Sequence, residues 1–331
     1  MARRDIVVAG ASAGGVEALR EFVGGLSAEF PAALLVVLHL PTSTSSALAQ
    51  ILARSGRLPA GIPIDGQRLE AGRIYVAPPD HHLLVRAGRA ALSRGPQENG
   101  HRPAVDALFR SAAREFGSRV VGVVLSGTLD DGASGLAAIV RNGGAAAVQE
   151  PKDAHYAGMP QAALAQVPQA VVAPASGLAE KVERLIGEPG SSTAVAPDPN
   201  LASEVAIANF DMDELRSPDR LGVSAGLDCP DCGGSLFALF DGGRVRYRCR
   251  VGHAWSAVAL AERHGTHVEA ALWVALRTLE DKAALHRRIA ESARERDARY
   301  LSGLNLRAAR EAEQSAELIR QLLVGDVPSR N

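Results

Sequence analysis

The chain has 331 residues, 47% hydrophobic and 22% charged, with a formal net charge of -1. That length fits about two domains, and the balanced charge gives no electrostatic pull toward nucleic acid or a membrane surface. Met1-Ala-Arg-Arg-Asp leads directly into a strand-length apolar run, and the longest later run, from Ala32 to Leu40, is interrupted by His39. Neither reads as a signal peptide or a membrane span, so a cytoplasmic protein that is not membrane-inserted is expected.

From residue 5 to about 187, short β-branched runs alternate with amphipathic runs. Strands are expected at Ile6–Gly10, Leu34–His39, Arg73–Ala77, Val120–Ser126, Ala145–Gln149 and near Val171. Helices are expected at Gly15–Leu26, Ser43–Ala53, Pro103–Phe116, Ser134–Arg141 and Gly177–Ile186, with a hairpin around Gly88. Such alternation predicts an α/β fold, a doubly wound, mostly parallel sheet with helices on both faces. Residues 188–222 have linker composition, residues 223–256 hold every cysteine, and residues 257–324 read as one or two long helices.

The first strand ends in Gly10-Ala11-Ser12-Ala13-Gly14-Gly15. A dinucleotide loop needs glycine where Ser12 stands and an acid at the end of the second strand, where His39 stands. The stretch instead matches G-x-S-x-G, which sets a serine on a sharp strand-to-helix turn beside free N–H groups. Ser12 has two readings at this point, helix cap or nucleophile. His39 closes the second strand and Asp130-Asp131 follows the strand at Val120–Ser126. In a doubly wound sheet those strand ends meet at the switch point, bringing together a nucleophile, a base and a carboxylate to orient the base.

The strings GASAGG, VVLHLP, GRIYVAPPDHHLLV, GHRPAVDALFRSAA, VVGVVLSGTLDDGASGL and GMPQAAL, in this order, resemble the catalytic domain of CheB-type protein-glutamate methylesterases of bacterial chemotaxis. The resemblance covers residues 4 to 187. It implies a serine-type hydrolase that demethylates glutamyl methyl esters, with deamidation of glutamine in some members, on methylated chemoreceptor-like proteins. It also implies Ser12 as nucleophile, His39 as general base and Asp131 as third member, with no cofactor for catalysis. Ala13, Thr128 and Arg102 are the candidates for the oxyanion and substrate site. Ala13 stands where the family turn has Thr or Ser, and Gly127-Thr128-Leu129 where it has Gly-Met-Gly. The family's usual N-terminal receiver domain has no counterpart ahead of Ile6, so control by phosphorylation in cis is not expected.

Cys229, Cys232, Cys249 and His253 form C-x2-C…C-x3-H around a β-rich run, the pattern of a zinc ribbon. Four soft or borderline ligands on two turns suit a structural Zn2+ site; three unliganded thiols are the alternative. The helical residues beyond interleave Glu and Arg around an Ala/Leu stripe, suited to packing on each other, on a second subunit as an oligomer contact, or on a receptor. A rival reading of the whole chain is a non-catalytic docking or sensor protein that works through the zinc and helical module.

Overall fold

The computed structural model describes residues 3–40, 46–190, 199–216, 222–241 and 244–325. Contacts divide it into two compact units, Met1–Leu260 and Ala261–Asn331.

The first unit is built on β1 (Ile6–Ala11), α1 (Gly15–Gly24), β2 (Ala33–Leu38), α2 (Leu48–Ser55), β3 (Ala60–Gly61), β4 (Arg73–Val76), β5 (His82–Arg86), β6 (Arg89–Ser93) and α3 (Val105–Phe116). It continues through β7 (Val120–Val124), α4 (Ala133–Arg141), β8 (Ala145–Gln149), α5 (Gly158–Gln166), β9 (Val171–Ala173) and α6 (Ala175–Gly187). Seven strands form one parallel sheet in the order β3-β4-β2-β1-β7-β8-β9, and β5 and β6 pair as the expected hairpin. The six strands anticipated from sequence are all present. β3 and α5 add to them, and residues 41–45 at the head of the expected Ser43–Ala53 helix lie outside the described residues.

Both faces of the central strands are buried, which is why they read as unbroken apolar runs rather than alternating ones. Val7, Ala9, Leu34, Val36, Val121 and Val123 meet Leu19 and Phe22 of α1, Leu52 of α2 and Leu178 and Val182 of α6. Their neighbours Ile6, Val8, Leu35, Val37, Val120 and Val124 meet Leu108 and Phe109 of α3, Leu136 and Ile139 of α4 and Met159 of α5. The chain turns back at β1: β2 and β4 grow one way and β7, β8 and β9 the other. This reversal sets the carboxyl ends of β1, β2 and β7 side by side.

Two helices, α7 (Pro199–Ala208) and α8 (Met212–Arg216), lie within the stretch read as linker, of which residues 191–198 and 217–221 are not described. A four-stranded antiparallel sheet follows, β10 (Val223–Asp228), β11 (Ser235–Asp241), β12 (Arg244–Cys249) and β13 (Ala254–Ser256). It packs around the fully buried Trp255, Leu236, Cys229 and Cys249.

α9 (Ala257–Glu295) starts at the end of the first unit, and with α10 (Arg299–Gly325) makes the second. The two helices pair antiparallel through Arg320–Glu280 and Arg287–Glu313 ion pairs and a bond between His286 and Asn305. Their seam is alanine-rich, with Ala283, Ala290, Ala309, Ala312 and Ala316 buried.

Candidate active site and metal centre

Ser12 follows the last residue of β1 and is held there by backbone: its N–H donates to Ser126 O (2.9 Å) at the end of β7. Ser126 in turn donates its hydroxyl to Ala13 O (2.8 Å) and accepts the Tyr156 N–H (3.0 Å), tying the turn to the loop before α5. Small residues are required. Gly14 sits at φ 67°, and a Cβ on Gly127 would stand 2.1 Å from Met159 Sδ and 2.9 Å from Ser12 Cβ. The N–H groups of Ala13 and Gly14, ahead of α1, meet no acceptor among the described residues. They are the unfilled donors every helix start leaves.

His39 is the residue after β2, and its ring bridges the other two strand ends. Nδ1 lies 3.1 Å from Ser12 Oγ and Nε2 lies 2.7 Å from Asp131 Oδ2. A carboxylate only accepts, so Nε2 carries the proton and Nδ1 is left to accept from the serine hydroxyl. The ring of His101 stacks on His39, centroids 3.7 Å apart and planes 13° apart.

Asp131 is buried at the N-terminus of α3. Besides His39 it accepts the N–H of Val105 (2.7 Å) and of Asp106 (3.2 Å), and Asn99 Nδ2 reaches Oδ1 at 3.4 Å. Burial pushes its carboxyl upward, but the bond and charge of His39, the Val105 N–H and nearby His101 outweigh that and hold it well below the usual carboxylate range. Asp106 shows the opposite balance. Burial and the Asp131 charge push its carboxyl up to about 7 against Arg110, Arg246 and the Gly135 N–H. One fixed anion therefore stands beside a neighbour that holds its proton.

The three strand-end residues singled out from the sequence thus converge, and Asp130 does not join them: its carboxylate accepts the Ser256 hydroxyl at 2.7 Å. Ala13 follows Ser12, and its carbonyl accepts the Ser126 hydroxyl. Thr128 is exposed. The Arg102 guanidinium is engaged within the protein, donating to Asp80 (2.6 and 3.0 Å) and to the carbonyls of Gly95 (2.8 Å) and Arg94 (3.2 Å). His82 is a core residue, its Nε2–H on Pro96 O at 2.9 Å. Sequence reading missed Asn99; the Asn99-Gly100 pair was its available signal, since both take the left-handed backbone of a tight turn.

The CheB methylesterase family model matches residues 7–182. This chain belongs to the CheB methylesterase family. A protein-glutamate methylesterase/protein-glutamine glutaminase of Anaeromyxobacter dehalogenans is 42% identical over 52% of this chain and 51% of its own length. One of Methanosarcina acetivorans is 36% identical over 56% and 54%. The chain spans about half the length of these curated relatives. The crystal structure of the Thermotoga maritima CheB methylesterase catalytic domain, 30% identical, superposes with a TM-score of 0.53 over 56% of this chain and 100% of that one. Family likeness therefore covers the parallel-sheet domain, while the antiparallel sheet and long helices lie outside it.

In that outlying sheet, the ligand atoms of Cys229, Cys232, Cys249 and His253 all lie within 4.8 Å of one another. Cys232 Sγ and Cys249 Sγ are 3.7 Å apart, as are Cys229 Sγ and His253 Nδ1. A tetrahedral zinc with its ordinary bond lengths sets such edges at about 3.5–3.8 Å, so these two pairs match and the Cys3His donor set suits the ion. Two tight turns deliver them, closed by Gly233 N–H on Cys229 O (2.8 Å) and Gly252 N–H on Cys249 O (3.0 Å). Burial and the neighbouring Cys229 push the Cys249 thiol up to about 12. Burial lowers His253, which keeps its imidazole neutral and able to ligate.

Proposed function

We propose that this protein is a serine-type hydrolase that removes methyl esters from glutamyl side chains of chemoreceptor-like proteins, with Ser12 as nucleophile, His39 as general base and Asp131 as the residue that orients it. The observation that carries the reading is the His39 ring, bonded at one nitrogen to Ser12 and at the other to a buried carboxylate. Ser12 Oγ attacks the ester carbonyl carbon as its proton passes to His39 Nδ1. The oxyanion is met by the N–H groups of Ala13 and Gly14. Collapse expels methanol, which takes the proton from His39, and a water repeats the sequence to release glutamate and restore Ser12. Relatives carry the name glutaminase as well, and a glutamine amide fits the same cycle with ammonia as leaving group.

Substrate would be a protein surface met in the cytoplasm; no described helix is long and apolar enough to cross a membrane. The Cys229/Cys232/Cys249/His253 group is assigned a structural Zn2+, which when bound cross-links the two turns and supplies folding energy to a sheet with a small core. All four ligands come from protein, so no position is left for substrate. Elemental analysis of protein purified without added metal is expected to give about one zinc per chain, and negligible zinc would refute that assignment.

The test of the activity is methanol release from methylated receptor membranes and from small methyl esters. Ser12→Ala is expected to lower it by about 10⁴-fold or more, since the nucleophile and base work as a unit. Equal rates for wild type and Ser12→Ala would overturn the enzyme reading in favour of a docking protein.

A further inference from the structure

Within the first unit, one turn of the family domain touches both the metal-binding sheet and the Ser12–His39–Asp131 group. Residues Glu98–His101 form it, with Glu98 N–H on His101 O (3.1 Å) and His101 N–H on Glu98 O (2.9 Å), and with Asn99 at φ 52° and Gly100 at φ 75°. β13, which begins at the residue after His253, grips this turn. Asn99 N–H donates to Ala254 O (2.7 Å), Ala254 N–H donates to Gln97 O (3.2 Å), and Ser256 N–H donates to Asn99 Oδ1 (2.8 Å). The Trp255 ring lies over Gly100, where a Cβ would come within 3.4 Å of it.

The opposite side of the same turn faces the site. Asn99 Nδ2 points at Asp131 Oδ1, and His101 stacks on His39. A second clamp sits alongside. Arg246 and Arg248 of β12 pair with Glu204 of α7 at 2.8 and 2.6 Å, and Arg246 also reaches Glu98, which pairs with Arg110 of α3. These charges are buried, so their mutual pairing fixes one arrangement of sheet against core.

We infer that the Cys3His sheet is a metal-dependent brace for the catalytic histidine and aspartate, and that Asn99 is the positioning residue through which it acts. The inference rests on the catalytic reading of Ser12, His39 and Asp131. Asn99 spends its acceptor on the brace and its donor on Asp131, so the two ends share one side chain. With the metal bound, β13 is held and the amide is fixed. Without it, the turns carrying Cys249 and His253 lose their cross-link, β13 is released, and Asp131 loses the Asn99 donor.

The experiment uses the full chain, loaded with zinc or stripped by a chelator, and reads the rate at which a fluorophosphonate labels Ser12, alongside metal content, circular dichroism, and kcat and KM on a small methyl ester. Asn99→Gly keeps the left-handed turn and removes only the amide. Asn99→Asp keeps the acceptor for Ser256 and sets a second acceptor against Asp131. Loaded wild type is expected to label fastest. Both loaded variants, with zinc still near one per chain, are expected to label about tenfold more slowly, the worth of one hydrogen bond to a charged group. They should lower kcat at unchanged KM. Stripping wild type is expected to slow labelling to a similar degree, and stripping Asn99→Gly to add less than about twofold, because both act through one contact. Where stripping unfolds the whole chain, the two loaded variants decide.

Labelling of stripped, still-folded wild type at the loaded rate overturns the inference, as does labelling of the loaded variants at the wild-type rate. So do losses from stripping and from Asn99→Gly that multiply to about a hundredfold. Absence of any labelling in loaded wild type would instead overturn the catalytic reading, and the inference with it.

Discussion

Asp131→Asn separates the two services a buried carboxylate gives a histidine. Oδ2 takes the His39 Nε2–H and the Val105 N–H, both at 2.7 Å, whereas Oδ1 takes the looser Asp106 N–H at 3.2 Å and Asn99 at 3.4 Å. An asparagine has one acceptor oxygen, and its better placement is on the tighter side, with the amide nitrogen facing Asp106 and Asn99. In that orientation the His39 tautomer survives and the charge is lost. A carboxylate and an imidazolium about 4 Å apart attract by about 4 kcal/mol at the effective dielectric of protein sites, so kcat should fall about 10³-fold with KM unchanged. Asp130→Asn, which keeps an oxygen for the Ser256 hydroxyl, should stay within about threefold. Methanol release from a small methyl ester, measured for both variants, gives the comparison. An Asp131→Asn enzyme within threefold of wild type, or an equal loss in Asp130→Asn, would refute the assignment of Asp131.

Native Asp106 holds its proton up to about 7, against 3.8 for an ordinary aspartate. The native state thus binds more protons between those values, and the Asp106 contribution to stability is full below about 4 and lost as pH rises through about 7. Urea unfolding of Asp106→Asn between pH 4 and 8 should lack that decline, and a parallel decline in wild type and variant would exclude Asp106 as its source. Glu204→Gln leaves Arg248 buried without its carboxylate and Arg246 with the longer 3.5 Å contact to Glu98, and a loss of about 3–5 kcal/mol is expected in chemical denaturation; a loss under 1 kcal/mol would show that the buried pairs are not what fastens the sheet. Gly127→Ala drives a methyl into Met159 and Ser12, so about 1–3 kcal/mol of stability and most of the esterase activity should go together. Full activity in that variant would mean the turn is looser than its packing shows.

The parallel sheet was legible because its strands are buried on both faces and announce themselves as apolar runs ended by turn residues. Its site was legible for a topological reason: reversal of strand order at β1 puts the ends of β1, β2 and β7 side by side, so the residues just beyond them can be paired without knowing any side-chain angle. The elements that escaped notice are those whose signal is weak. β3 is two residues long, and α5, Gly158–Gln166, carries its Pro160 in the first turn, where proline is tolerated but the string reads as loop. α7 was hidden in a stretch that looks like linker by its Gly, Pro and Ser content, although Leu201, Val205 and Ala208 bury one face.

The metal-binding sheet shows where reading by spacing stops. C-x2-C and C-x3-H state which residues gather, because ligand geometry is local. They say nothing about what the gathered sheet rests upon. That is settled by contacts between residues far apart in the chain: Asn99 with Ser256, Glu98 with Arg246, Glu204 with Arg248. Ser256 contributes its backbone N–H; the other five are charged or amide side chains that by composition belong on a solvated surface, buried here against partners that arrive from another segment. Arg246 and Arg248 alternate with Val245 and Tyr247 along β12, which reads as one wet face of a strand. The face is dry, covered by Glu98 and Glu204. A polar strand face buried against acidic partners is thus the physical reason that the sheet sits beside the Glu98–His101 turn, and it is invisible to any argument from periodicity alone.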